Sequence, residues 1–291
     1  MRLQYISDIH LETRNEKDFA KYLIPNAPYL ALCGDIGYPH SPLFKEFIEY
    51  CSINWTHVFY ITGNHDYYNK IYSKWKYSKP YSMNEIEDYI ESLFINFPNV
   101  HFLQKKRFDI PNTNYIILGC TLWVNIPEDK YIDCRMYSND VNYISTDSIE
   151  RLSPENINDL HVQHSNWLLK ELDLAESENK KAIVLTHHLP TELLVSYKYI
   201  GDPQNYLYFT ELVSHLNKSS LQAWICGHSH SAKRVKYNKK VNQTDFIHYI
   251  EVMMNCKGYN DENIDNFNPS CIYEIKDKLS DLQTIEEIDF I

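Results

Sequence analysis

Five short strings in this 291-residue chain end an apolar run in an aspartate, asparagine or histidine. They are YISDIH with Asp8 and His10, LALCGDIG with Asp35, FYITGNHD with Asn64, His65 and Asp66, IVLTHH with His187 and His188, and AWICGHSH with His228 and His230. Carboxylate and amide oxygens together with imidazole nitrogens form a donor set for borderline divalent ions such as Mn, Fe, Zn, Co or Ni. No thiolate belongs to the set, which argues against a structural zinc site. A carboxylate on a tight turn can bridge two ions about 3.5–4 Å apart, a spacing that clamps the attacking and leaving oxygens of a phosphoryl centre. Lys and Arg number 28 against 39 Asp and Glu, a net charge of −11. Two divalent cations outweigh two aspartates, so an acidic chain can still offer an anionic substrate a cationic site. Each string alone has a plain structural reading, a helix cap for a strand-end aspartate or a packed imidazole for THH. All five in this order point to a site.

The elements that must position these residues are legible as alternating patterns. Apolar runs at 2–6, 29–33, 57–62, 115–119, 182–186 and 222–226 read as strands, and 41–53, 83–97, 153–175 and 206–216 read as helices. Ser153 suits the cap of the longest helix and Pro154 its first position. Strand alternating with helix implies a layered α/β fold with parallel pairing, to which runs at 247–253 and 271–275 add an antiparallel portion. In open sheets of this kind ligands bind beyond the carboxyl ends of the strands, which is where all five strings place their polar residues. No repeat or linker interrupts the chain, so residues 1–291 read as one domain. The irregular, acidic stretch 124–152 reads either as a lid or wall over the site or as an unstructured insertion. A second loop carries Lys70, Lys74, Lys76 and Lys79 and reads as a solvated surface or as a grip on phosphate.

Composition excludes several classes. There is no apolar run long enough for a transmembrane helix, and the N-terminal RLQYISD reads as a strand, not an export signal. The acidic balance argues against a general binder of nucleic acid or anionic membrane. Seven cysteines without a CxxC pair, several inside apolar runs, lead us to expect reduced, buried thiols in a cytoplasmic protein. The chain holds only seven glycines, where average usage would give roughly twenty. Three of them, Gly34, Gly63 and Gly227, directly precede residues of the five strings.

The order DxH, GD, GNHD, H, GHxH resembles the calcineurin-like metallophosphoesterase superfamily. GCTLW (119–123), NDVNYI (139–144), MNCKGY and FNPSCIYEI extend the resemblance to compact bacterial and viral members. It implies two mixed β-sheets packed face to face with flanking helices, a four-layer sandwich. It further implies one metal held by Asp8, His10, Asp35 and His230, and a second by Asp35, Asn64, His187 and His228. Manganese is the favoured ion among Mn, Fe, Zn and Ni. A metal-bridging hydroxide would be the nucleophile, with His65 donating to phosphate oxygens or protonating the leaving group. His188 is outside the ligand set and is left either a neighbour of the site or a packed neutral imidazole. Serine/threonine protein phosphatases of the superfamily continue GD as an Arg-bearing DRG and follow with GNHE. Here the strings are GDIG and GNHD, which disfavours that activity. The expected function is a dinuclear-metal phosphodiesterase acting on a nucleotide or other small substrate. A nuclease, whose basic track would be Lys70 to Lys79 or Lys233 to Lys240, is the alternative within hydrolases. A binding scaffold that has lost catalysis is the alternative outside them. Tyr67, Tyr68 and Tyr259 are candidates to face the substrate.

Overall fold

A computed structural model of the protein describes residues 1–14, 17–69, 80–147, 150–213, 216, 218–240 and 247–274. Eleven strands form two sheets. The first orders β11 (Ile272–Glu274), β1 (Arg2–Ile6), β2 (Tyr29–Cys33), β3 (His57–Ile61) and β4 (Val100–Phe102). The second orders β5 (Lys106–Asp109), β6 (Tyr115–Gly119), β7 (Lys181–Leu185), β8 (Leu221–Cys226), β10 (Ile247–Asn255) and β9 (Ala232–Lys240). Pairing is parallel through β1–β4 and through β6, β7, β8 and β10, and antiparallel at the edge strands β11, β5 and β9.

Strand alternation assigns each face its cover. Tyr5, Cys33, Phe59 and Ile61 of the first sheet pack against Ile117, Leu185, Ile225 and Met253 of the second, so the sheets meet face to face. The opposite face of the first sheet, with Leu30, Leu32, Val58 and Tyr60, buries Phe44, Phe47 and Ile48 of α1 (Pro42–Asn54) and Ile86 and Ile90 of α2 (Met83–Phe94). The outer face of the second sheet, with Ile116, Val184 and Trp224, covers Leu168, Leu172 and Ala175 of α5 (Pro154–Ser177). Because both faces are covered, the central strands are near-continuous apolar runs. This is the four-layer α/β sandwich expected from the sequence. Ser153 caps α5 reciprocally with Asn156, and Pro154 is its first residue.

Some expectations fail. The described part of 206–216 is not a helix: a single 3-10 turn at Asn205–Leu207 is followed by a turn, an isolated bridge at Phe209 and irregular backbone. Leu189 accepts from Thr210 N at 3.2 Å and donates to the Tyr208 carbonyl at 3.1 Å, while Pro190 accepts from Leu212 N at 2.8 Å. Backbone groups that a helix would need internally are thereby spent on the loop after β7. Strands β4, β5 and β9 went unread, being short or highly charged. Residues 124–152 carry two short helices, α3 (Tyr131–Tyr137) and α4 (Asp140–Tyr143). Lys70, Lys74, Lys76 and Lys79 lie outside the described residues. Six of the seven cysteines are buried and all seven are free.

Candidate metal centre

The parallel strands β1, β2, β3, β7 and β8 end at one edge of the sandwich, and there the chain turns sharply. Five of the residues singled out adopt left-handed backbone: Asp8 (φ 53°), His10 (50°), Asp35 (52°), His228 (72°) and His230 (44°). Such a conformation costs a side-chain-bearing residue about 1–2 kcal/mol and persists only where the surroundings enforce it. Here hydrogen bonds between turns enforce it: Asp8 N to the Gly34 carbonyl and His10 N to the Asp35 carbonyl, each at 3.0 Å. The buried Asp66 carboxylate accepts from Gly63 N at 2.6 Å and Asp35 N at 2.9 Å, tying the second turn to the third.

Three donor groups result among the described residues, and two of them are made of expected ligands. In the first, ligand atoms of Asp8, His10 and His230 lie within 4.8 Å of one another. His10 Nδ1 bonds Glu12 at 2.9 Å and His230 Nδ1 bonds Glu262 at 2.5 Å. With each Nδ1 turned to a carboxylate, both Nε2 atoms are aimed at the same space, 3.0 Å apart. In the second group, Asp35, His187 and His228 converge in the same way. His187 Nδ1 donates to the Cys33 carbonyl at 2.9 Å, which turns Nε2 toward Asn64 Oδ1 at 3.0 Å and Asp35 Oδ2 at 3.4 Å. His228 Nε2 donates to the Leu207 carbonyl at 3.2 Å, which leaves Nδ1 for coordination. Oxygen and imidazole nitrogen atoms converging this closely are held together by shared protons that a divalent cation can displace, so both groups fit divalent metals. Asp35 lies between them, 3.8 Å from His10 Nε2 on the other side.

Charge reinforces this. Burial pulls His187 down, but the Asp35 carboxylate outweighs it and lifts the imidazole to about 9. Burial would raise Asp35, yet His187, His65 and His10 hold it well below the usual carboxylate range. Burial and the neighbouring His187 push His228 down to about 3.

His65 lies beside the donors, its ligand atom within 4.8 Å of those of His10 and Asp35. Its Nε2 meets the Tyr259 hydroxyl at 3.2 Å, its Nδ1 lies 3.5 Å from Glu12, and Tyr68 stacks on it at 4.2 Å. Burial lowers its pKa, but Asp35 and Glu12 more than compensate, so the protonated form is favoured. The two groups open into a cavity of about 270 Å³ whose rim includes Tyr68, Tyr137, Tyr199, Tyr208 and Tyr259. Tyr67 is fully buried instead, bonding Thr62 and Glu87 at 2.7 Å each, and does not line the cavity. His188 is buried between Trp123 and His228, held neutral by burial and by both neighbouring imidazoles. Lys233, Arg234 and Lys236 lie on β9 and do not line the cavity, and Arg234 pairs with Glu251 at 2.7 Å.

Sequence reading missed Glu12, Asp140 and Glu262, the carboxylates that orient the donors. Glu12 follows His10 by two residues, which is the one local signal available. Glu262 reaches His230 from 32 residues away.

Residues 1–232 match the family model described as calcineurin-like phosphoesterase. The uncharacterized protein L509 of Acanthamoeba polyphaga mimivirus is 29% identical over 301 residues, covering 96% of this chain and 98% of that one. Among solved structures, the phosphopantetheinyl hydrolase of Mycobacterium tuberculosis superposes with a TM-score of 0.61 at 14% identity, covering 98% of each chain. A dimetal phosphatase from Danio rerio shows a TM-score of 0.48 at 13% identity, over 87% of this chain and 86% of that one. With four-fifths of its length matched and two donor groups suited to divalent ions, the chain belongs to the calcineurin-like phosphoesterases, metal-dependent hydrolases of phosphate esters.

Proposed function

We propose that the protein is a phosphodiesterase acting on a small substrate such as a nucleotide, with Asp8, His10, Asp35 and His230 holding one ion and Asp35, Asn64, His187 and His228 the other. Manganese is the favoured ion, given oxygen and imidazole donors without thiolate. Two bound ions would act as Lewis acids on the phosphoryl oxygens and lower the pKa of water. His65, protonated and braced by Tyr259, Glu12 and Tyr68, donates to a phosphoryl oxygen or to the departing alkoxide. Residues 137–140 serve as a wall of the cavity, which supports reading 124–152 as part of the site. Strand β11 pairs with β1, which supports one domain running past the matched 232 residues.

One observation carries the diester preference. Among the described residues lining the cavity there is no lysine or arginine, so beyond the ions and the single His65 imidazole no cationic side chain answers a second phosphate charge. The neutral rim of tyrosines, Asn139 and Gln204 suits an uncharged organic group, planar ones in particular. The test is a panel of mono- and diesters, including cyclic nucleotides and oligonucleotides, under Mn, Fe, Zn and Ni. A small diester should lead the matched monoester by about tenfold in kcat/KM, about 1.4 kcal/mol. Monoester preference would overturn the proposal, oligonucleotide preference would favour a nuclease, and no turnover with any ion would favour a scaffold. Asp35→Asn should abolish turnover, and full activity in that variant would refute the shared-ligand assignment.

A further inference from the structure

Asp140 is a buried carboxylate in α4 that the ligand set leaves out. One of its oxygens, Oδ1, accepts from Asn64 Nδ2 at 2.8 Å and from the Tyr68 hydroxyl at 2.6 Å. The Asn64 amide has two ends of opposite character, and only the carbonyl end can ligate a cation. That end faces His187 Nε2 at 3.0 Å. Once His187 Nε2 gives up its proton to present a lone pair, an amide held by nothing else would gain a hydrogen bond by turning over and donating its NH2 to that nitrogen. Turning over would also set the amide oxygen against the Asp140 carboxylate. Asp140 therefore supplies the bias that keeps the amide in its ligating orientation. The same oxygen anchors Tyr68, the ring stacked on His65 at 4.2 Å. At the other end of α4, the Tyr143 carbonyl accepts from Asn69 N at 2.9 Å, so the helix spans the whole turn from Asn64 to Asn69.

The geometry points to Asp140 as a positioning residue for the second metal position, so that the segment walling the cavity also completes the metal site. This rests on the reading of Asn64 as a ligand. It makes a prediction that a merely structural role does not: loss of Asp140 should weaken one metal position and spare the other. The experiment is calorimetric titration of Mn into the metal-free full-length protein, with the spin-coupled signal of the Mn pair followed by electron paramagnetic resonance. Asp140→Ala should weaken one Mn position about 10–100-fold, leave the other unchanged, and erase the coupled signal at one equivalent excess. Asp140→Leu occupies similar space without an acceptor and should behave the same, so the test does not depend on the cavity that alanine leaves. Asp140→Asn keeps a carbonyl oxygen where Oδ1 stands and should recover most of the affinity. Unchanged binding in the alanine and leucine variants, or equal weakening of both positions, would overturn the proposal. Asn64→Ala separates the two readings. If it weakens one position while Asp140→Ala does not, only the positioning role fails. If Asn64→Ala also leaves both positions intact, the ligand assignment itself is wrong.

Discussion

Gly63→Ala separates crowding from backbone strain, because the position has no spare room and no left-handed backbone. Its φ lies outside the left-handed region, so a side chain there is opposed by space alone. A Cβ would stand 2.7 Å from Asp35 N and 2.7 Å from His187 Cε1, and against Asp35 Oδ1 as well. Ordinary carbon contacts are about 3.5–4.0 Å, so the neighbours would have to yield by roughly 0.8 Å. Both belong to proposed ligands, and metal sites tolerate ligand displacements of about 0.2 Å. Overpacking of this kind costs about 1–3 kcal/mol, which at about 2–4 °C per kcal/mol lowers the melting temperature by about 2–12 °C. The larger expected effect is on the ions: Asp35 is common to both positions, so both should weaken by at least about tenfold. Gly201→Ala is the control. It carries φ +80° with no atom within 4 Å of its Cβ, so it should cost about 1–2 kcal/mol and leave metal binding alone. Melting curves with and without chelator, and calorimetric titration with Mn, measure both variants. A Gly63→Ala protein that binds two Mn with unaltered affinity would refute the close-approach reasoning.

His65→Ala should retain both Mn equivalents and lose about 10²–10⁴-fold in kcat, with a smaller loss for nitrophenyl leaving groups than for alkyl ones. An equal loss across leaving groups would assign His65 to phosphate binding instead of proton donation. In the metal-free protein, His187 titrates near 9 against an ordinary 6.5. A raised folded pKa means its pairing with Asp35 stabilises fully below pH 6.5 and fades as pH climbs through 9. The urea midpoint of chelator-treated protein should fall across that interval, and a midpoint that rises would contradict the pairing. Because the metal replaces that proton, Mn binding at pH 7.5 should release close to one proton from this position, read from heats in buffers of differing ionisation enthalpy.

What could be read from sequence was whatever lay within a few consecutive residues. An apolar run closed by Asp35 or by His187 states both its strand and its polar end, so five such strings were enough to imply the sandwich edge and its donors. The Ser153–Pro154 start of α5 was equally local. Asp140 and Glu262 were not legible as partners, because each acts on a residue chosen by the fold: Asp140 meets Asn64 across 76 positions. Residues 206–216 looked helical because apolar spacing there is rough and no breaker interrupts it. Their backbone is instead claimed by Leu189 and Pro190, a competition that local propensity cannot register. Tyr67 and Tyr68 illustrate the same limit, since adjacent identical side chains went to opposite fates, one into the core and one onto the cavity rim.

The donors come from both sheets, and their spread along the chain has a consequence for how the protein acquires its fold. Asp8 opens the set and His230 closes it, with Glu262 needed to orient the latter. Pairings across more than 200 residues, such as His228 N with Asp8 at 3.0 Å, are among the slowest to form. On a ribosome the emerging chain holds only part of the proposed donor set until β8 of the described strands is made, and Glu262 follows β10. Metal is therefore captured by a nearly finished sandwich instead of templating its early stages. Once captured, the ions fasten the first sheet to the second, so their main kinetic effect falls on how slowly the finished protein comes apart.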